Sequence, residues 1–132
     1  DQLNKITTKL ENFNSYETTV IPGKNLKKIT FKELGLEILA TNYVFAIFLN
    51  DKSSPEIVLF EPDISKKSIH LYVGMGINEF EALTRQDKYM ENVALLDENE
   101  SYRYYFNLGL ALKVNSETDK VEEIVITQLA EW

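Results

Sequence analysis

The only histidine, His70, is the first residue to consider for chemistry. An imidazole can act as a general base near neutral pH or bind a metal through a neutral nitrogen. The chain has no cysteine and no second histidine, so a transition-metal site would need carboxylates alone. The sequence therefore predicts no metal and no cofactor. A small hydrolase or ligand-binding domain that uses carboxylates with His70 is the alternative function.

Acidic residues occur in pairs and clusters that lack the spacing of catalytic or calcium-binding motifs. Glu79 and Glu81 are two positions apart on a predicted helix, so their side chains point in different directions. Glu122 and Glu123 are adjacent on a predicted strand and face opposite sides of it. The turn Asp97–Glu100 has neither the central glycine nor the distal glutamate of a calcium-binding loop. We therefore predict that the protein is not an enzyme.

The segment SYRYYF before the last two strands is the strongest candidate for a partner-binding surface. Alternation along a strand places Tyr102 and Tyr104 on one face and Arg103 and Tyr105 on the other. Exposed tyrosine and arginine are typical of protein interfaces, although ordinary sheet packing would use the same residues. An acidic turn precedes the segment. The predicted partner-binding residues are Tyr102, Arg103, Tyr105, Asp97, Glu98 and Glu100.

Length and charge limit the classes of partner. At 132 residues, the chain is long enough for one domain, which we place at 1–132. The net charge of −7 opposes binding to nucleic acid or to an anionic membrane surface and attracts a cationic protein. Solvation alone is the other explanation for such a charge. No apolar run reaches the roughly 18–20 residues that a membrane span needs.

Two stretches of the first half have helical spacing. Residues 1–13 carry apolar residues three and four positions apart, which predicts an amphipathic helix that packs on a sheet. These residues are Leu3, Ile6, Leu10 and Phe13. A second helix is predicted at about 31–40, because Thr30 and Glu33 have the spacing of a capping box.

Apolar and β-branched runs predict the strands of the first half. Residues 16–21 form a short strand that ends at a Pro-Gly turn. The run YVFAIFL at 43–49 is apolar enough for a central strand. Residues 56–61 return from it, so the two runs predict a hairpin. Alternation at 69–73 predicts a further half-buried strand, and a short helix follows at about 77–84.

The end of the chain predicts a three-stranded antiparallel meander made of Tyr102–Phe106, Leu110–Val114 and Val121–Ile126. A short strand is also expected within the connection that precedes it. The predicted fold class is α+β: an antiparallel sheet with a central hairpin and the meander, and two or three short helices on one face. Residues 31–61 and 77–127 would then form a weak internal repeat of a helix and strands.

The second half resembles a known family. The run IHLYVGMGINEFEAL at 69–83, followed by the strands of the meander, is similar to the SmpA/OmlA (BamE-like) and beta-lactamase-inhibitor-protein-like domains of bacterial envelopes. Gly74 and Met75 match the Gly-Met element of those domains, and Glu79 and Leu83 match the short helix.

The resemblance implies a binding module without catalytic activity. It implies either an inhibitor or immunity-type protein that masks a basic surface of its partner, or the soluble domain of an envelope lipoprotein. The cell envelope or the extracellular space is the expected location, with the cytoplasm as the alternative. A lipoprotein would carry a lipid-attachment cysteine just before Asp1 in the full gene.

Overall fold

The computed structural model describes residues 17–21, 23, 26–41, 44–60, 68–95 and 99–127. The predicted helix at 1–13 lies outside these residues. The strands are β1 (Glu17–Ile21), β2 (Leu26–Phe31), β3 (Leu36–Ala40), β4 (Val44–Leu49), β5 (Ile57–Phe60), β6 (Ser68–Leu71), β7 (Met90–Val93), β8 (Tyr102–Tyr105), β9 (Leu110–Val114) and β10 (Val121–Thr127). The helix α1 spans Ile77–Thr84, and a single 3₁₀ turn spans Lys32–Leu34.

Eight strands form one antiparallel sheet in the order β1-β2-β3-β4-β10-β9-β8-β7. The hairpin of β5 and β6 forms a separate two-stranded sheet. In the described part of the chain, α1 is the only α-helix. The prediction of an α+β fold with two or three helices is therefore wrong, because the described chain is mostly β structure.

The predicted helix at 31–40 is a 3₁₀ turn followed by strand β3. Gly35 adopts a left-handed conformation at φ 58° and ends the turn, and its N–H donates to the Lys32 carbonyl at 3.2 Å. No side chain caps the turn, so the capping box of Thr30 and Glu33 does not form. The proposed internal repeat loses its basis, because its first half has no such helix.

The predicted hairpin between residues 43–49 and 56–61 is also wrong in its pairing. Strand β4 lies between β3 and β10, which confirms its central position. Strand β5 instead leaves the sheet and pairs with β6. The loop between β4 and β5 is held at the β2–β3 connection, because the buried Ser54 hydroxyl donates to the Gly35 carbonyl at 2.6 Å. The chain therefore turns away from β4 before β5 begins.

Other predictions are confirmed. The C-terminal meander is present as β8, β9 and β10, with an irregularity between Val121 and Glu123. Helix α1 has the predicted bounds, and β1, β6 and β7 lie where short strands were expected. Hydrogen bonds from Gly74 N–H to the Val121 carbonyl (2.7 Å) and from Ile77 N–H to the Asp119 carbonyl (2.8 Å) fix the start of α1 against β10.

The two faces of the large sheet bury separate apolar clusters. On the first face, the sheet packs against α1 and the β5–β6 hairpin, with Phe31, Phe80 and Tyr105 fully buried. We call the set of buried residues on the other face the second cluster. It consists of Leu39, Ala46, Phe48, Val93, Tyr102, Tyr104, Ala111 and Val125.

Candidate functional site

Tyr102 is the centre of a polar network at the border of the second cluster. Its side chain is buried, and its hydroxyl lies against the carboxylates of Glu123 and, at 3.2 Å, Glu100. Lys113 Nζ forms an ion pair with Glu100 at 2.9 Å and lies 5.4 Å from the centre of the Tyr102 ring. A phenol has one proton to donate. Either the two carboxylates share that proton, or one of the carboxylates carries a proton of its own.

Burial and neighbouring carboxylates shift the titration of this network. Burial raises the pKa of the Tyr102 phenol, and the hydrogen bond and the charge of Glu123 raise it further. Burial also raises the pKa of Glu123, although the hydrogen bond from Tyr102 and the charge of Lys113 oppose that rise. The network therefore holds a carboxyl group that binds a proton more readily than an ordinary glutamate does.

Arg103 and Tyr105 lie on the opposite face, as alternation predicts. The Arg103 guanidinium lies 4.9 Å from the ring centre of Tyr89, and that ring lies 5.1 Å from the ring of Tyr105. Tyr105 is fully buried against Phe80 of α1, and its hydroxyl donates to Glu81 at 3.0 Å. Burial and Glu81 raise the pKa of Tyr105, whereas Arg103 lowers it. These contacts stabilise the packing of α1 on the sheet.

The six residues predicted to bind a partner do not form one surface in the structure. Tyr102 and Glu100 are in contact at one face, whereas Arg103 and Tyr105 lie at the other. The remaining two, Asp97 and Glu98, lie outside the described residues. The binding role of the set therefore stays a prediction, and the buried tyrosines contribute to the packing of the sheet.

A shallow polar cleft brings Tyr102 and Arg103 to the same edge of the sheet. The cleft encloses about 330 Å³ where the register of β7 on β8 shifts between Met90 and Val93. Asn92 adopts a left-handed conformation there, at φ 56°, and its side-chain oxygen accepts a hydrogen bond from Ser101 Oγ at 3.1 Å. With Glu91 on the same rim, the cleft offers hydrogen-bonding groups of both kinds and the half-buried cation of Arg103.

His70 lies on β6 in an exposed polar row. Its Nδ1 is 3.0 Å from Glu56 Oε2, and its Nε2 is 3.4 Å from Ser68 Oγ. The order of hydroxyl, imidazole and carboxylate is the order found in nucleophilic hydrolases. About half of the His70 and Glu56 side-chain surface is open to water (53% and 54%), so the row lies on the surface of the hairpin.

Glu123, Lys113, Tyr89 and Glu81 complete these contacts. The sequence identifies Glu123 and Glu81 only as members of carboxylate pairs, and it predicts none of the four as a contact of Tyr102, Arg103 or Tyr105. Alternation does show that Glu123 shares a side of β10 with Val125. It does not show that this side is buried, because that depends on strands far away in the sequence. The partner of Arg103, Tyr89, precedes β7 and is brought near by the pairing of β7 with β8. A sequence signal for these contacts would require the strand order.

Neither a metal-binding cluster nor a membrane-spanning helix is found in the described ranges. There, no three histidine, aspartate or glutamate side chains converge on a position that could hold a metal ion. None of the described helices has the length and apolar character required to cross a bilayer.

Charge is distributed unevenly along the chain. Residues 1–70 contain nine acidic and nine basic side chains, so the net charge of −7 belongs entirely to residues 71–132. The described part of that stretch contains α1 and the strands β7 to β10. Several of their carboxylates are exposed: Glu79, Asp87, Glu91, Glu100, Glu117, Asp119 and Glu122.

Comparisons with known proteins give no relative. No family model, no curated protein and no solved structure shows a significant match to this chain.

Proposed function

We propose that this chain is a non-enzymatic protein-binding module that binds a cationic partner through its acidic second half. The separation of charge between the two halves is the observation that supports this proposal most strongly. A carboxylate-rich surface attracts a basic partner, speeds its encounter and repels other anions. The cleft at the β7–β8 edge adds Arg103 and side-chain amide and hydroxyl groups at the rim of the same half. Such groups give an acidic surface the hydrogen bonds that distinguish one partner from another.

A pair of charge-matched variants tests the proposal. Each carries three carboxylate-to-amide substitutions and changes the net charge from −7 to −4. The first variant is D87N/E91Q/E117Q, in the acidic half of the chain (residues 71–132). The second is E17Q/E33Q/E56Q, in the balanced half (residues 1–70), where acidic and basic side chains are equal in number. Binding of a short Arg/Lys-rich peptide is measured by calorimetry at two salt concentrations.

We expect the first variant to bind roughly tenfold more weakly than the wild type, with a shallower dependence on salt. The second variant is expected to bind as the wild type does. Equal losses in both variants would mean that only total charge matters, and would contradict a localised surface. The same three proteins, used as bait in a pull-down from the native organism, should recover a basic protein that only the acidic-half variant loses.

Two biological settings fit such a module, and the family resemblance favours both. An immunity- or inhibitor-type protein would mask a basic surface of an enzyme, such as a nuclease toxin, and the complex would weaken as salt rises. The soluble domain of an envelope lipoprotein would instead follow a lipid-attachment cysteine. The coding sequence upstream of Asp1 distinguishes them: a start codon directly before Asp1 would contradict the lipoprotein.

The row on the β5–β6 hairpin favours a second candidate function, hydrolysis of an activated ester. In such a reaction, Ser68 Oγ would bond to the acyl carbon, His70 would take the hydroxyl proton, and Glu56 would hold the imidazole. With p-nitrophenyl acetate, nitrophenolate would leave and an acetyl group would stay on Ser68. Loss of turnover in both S68A and H70Q, together with acetylated Ser68 by mass spectrometry, would support this function. Turnover unchanged in S68A would limit the row to the weak reactivity of any exposed imidazole.

A further inference from the structure

Glu123 belongs to a group of charges in which carboxylates outnumber cations. The carboxylates of Glu37 and Glu100 and the ammonium of Lys113 act on its side chain. Glu37 forms an ion pair with Lys28 at 3.6 Å, and Glu100 forms one with Lys113 at 2.9 Å. In the described part of the chain, neither lysine forms an ion pair with Glu123. One negative charge of the group is therefore uncompensated unless a proton binds there.

The Tyr102 hydroxyl shows where such a proton fits. The hydroxyl is in contact with Glu123 and, at 3.2 Å, with Glu100, and it can donate only one hydrogen. With a proton on Glu123, the Glu123 hydroxyl donates to Tyr102 and the Tyr102 hydroxyl donates to Glu100. All three groups are then satisfied, whereas two ionised carboxylates would leave one of them without its donor.

Lys113 is placed to serve either of two carboxylates. It lies opposite Glu123 in the register of β9 and β10, and directly opposed residues of an antiparallel pair have Cβ atoms about 4.5–5.5 Å apart. In the structure its ammonium pairs with Glu100, above the Tyr102 ring. A lysine has a flexible four-carbon stem that ends in a single point charge. A rotation of that stem is therefore enough to move the charge from Glu100 to Glu123.

Glu100 is the part of this group that a partner reaches from solvent. Its side chain is 44% exposed, compared with 27% for Lys113. The hydrogen bond between Ser101 Oγ and the Asn92 side chain joins the residue after Glu100 to the residue after Glu91. Two exposed carboxylates thus flank the cleft at the β7–β8 edge. A cationic side chain that enters there meets Glu100 first.

We propose that a lysine or arginine side chain of the partner binds Glu100, that Lys113 then turns to Glu123, and that the proton of Glu123 passes to water. This control of binding by a proton rests on the proposed function, because it needs a cationic partner at the acidic half. The charges balance, since one cation arrives as one proton leaves. Two ion pairs, that of Glu100 with the partner and that of Glu123 with Lys113, then replace one.

The affinity for the partner should therefore depend on pH. Burial raises the pKa of Glu123 in the free protein, and the approach of Lys113 and of the partner's cation lowers it in the complex. Between these two pKa values, binding releases a proton, so affinity rises with pH by up to about tenfold per pH unit. Above the higher value, Glu123 is ionised in both states and affinity no longer changes with pH.

Calorimetry of the full chain with an acetylated and amidated Arg/Lys-rich peptide tests the proposal. The peptide has no group that titrates between about pH 5 and pH 8. Titrations in two buffers with different enthalpies of ionisation count the protons released on binding. We expect a maximum of about one proton per peptide within this range, and a decline toward zero at its upper end. Peptide binding without proton release would overturn the proposal and leave the proposed function intact, whereas a peptide that does not bind would contradict both.

Adjacent glutamates provide matched variants for this measurement. Glu122 is exposed and accepts a hydrogen bond from Asn115 at 2.7 Å, so it does not belong to the Tyr102 network. We expect E123Q to abolish proton release and the pH dependence of affinity, and E122Q to keep both. Release that persists in E123Q would assign the proton to another group, such as His70, and overturn the proposal.

The exchange of Lys113 between the two carboxylates has a variant of its own. K113Q retains a side chain of similar length but has no charge to replace the proton on Glu123. We expect this variant to bind the peptide with less than about half of the wild-type proton release. Unchanged release in K113Q would show that Lys113 does not turn to Glu123, and would contradict the proposed exchange.

Discussion

At the scale of single residues, two side-chain environments have consequences that can be measured. One is the close packing at Gly35, where the backbone turns from the 3₁₀ helix into β3. An added Cβ would lie 2.6 Å from Asp51 Cβ and 2.7 Å from Ser54 Oγ. The other is Glu123, a carboxyl group that is partly buried beside Tyr102.

We predict that Gly35→Ala lowers the free energy of unfolding. Backbone strain alone should account for roughly 1–3 kcal/mol, and the steric clash adds to that loss. Gly23→Ala is the control, since Gly23 has φ 76° but an added Cβ there has no atom within 4 Å. Chemical denaturation of both variants separates the two effects. Equal losses would mean that the loop moves aside and that the close approach at Gly35 does not constrain the fold.

The pH dependence of stability should reveal Glu123. Its pKa is higher in the folded protein than in the unfolded chain, so between these two pKa values the folded state binds more protons. Stability is therefore expected to fall as pH rises through that interval. The E123Q variant removes this fall, so its stability relative to the wild type should increase with pH.

Denaturation of the wild type and of E123Q between pH 4 and pH 8 measures this difference. Glu117→Gln, at an exposed position of the β9–β10 turn, is the control and should not change with pH in this way. A difference between E123Q and the wild type that is constant with pH would contradict the proposed state of Glu123.

At the scale of elements, the sequence predicts where individual strands lie better than it predicts which strands pair with each other. Strand β9 alternates large apolar residues with Ala111 and Lys113, β10 is rich in β-branched residues, and short turns join the strands of the meander, so it could be predicted from its own residues. Residues 31–40 could not, because Phe31, Leu34 and Ile38 have helical spacing while Leu36, Ile38 and Ala40 have strand spacing. The conformation of Gly35 and the neighbouring strands β2 and β4 decide between the two patterns.

Long-range contacts also explain what was missed at the candidate site. The sequence suggests that Tyr102 and Arg103 face opposite ways, and the structure confirms this. The sequence did not show that Tyr102 on one face and Tyr105 on the other are both buried. A single strand does not reveal whether both faces of its sheet are covered. The partners Glu123 and Tyr89 come from other strands and connections, so no local spacing could identify them.

Ser54 connects two elements that are distant in sequence, and its loss should be measurable. Its hydroxyl donates to the Gly35 carbonyl at 2.6 Å and accepts the Asp51 N–H at 3.0 Å. We predict that Ser54→Ala lowers the free energy of unfolding by about 1–3 kcal/mol, because it leaves buried polar groups without this partner. Ser53→Ala, an exposed neighbour in the same loop, should change it by less than about 0.5 kcal/mol. A loss in S54A no larger than that in S53A would show that water replaces the hydroxyl.

At the scale of the whole molecule, the pairing of β4 with β10 joins strands from the two halves of the sequence. The strands from the first half, β1 to β4, meet those from the second half only there. Strands β1 to β4 of the balanced half and β7 to β10 of the acidic half thus form the two ends of the large sheet. A partner attracted by carboxylates would approach the end formed by β7 to β10. The second cluster crosses the junction, so its packing joins both ends of the sheet.

Interstrand NOEs across β3, β4 and β10 test this arrangement most directly. The registers pair Ile47 with Ile38 on one side and with Ile126 on the other. We predict backbone contacts between Ile47 and both partners in the spectrum of the full chain. Contacts from Hα of one residue to the amide three positions later, repeated through 31–40, would instead show a helix there. Such a helix, with no contact between Ile47 and Ile38, would contradict the eight-stranded sheet.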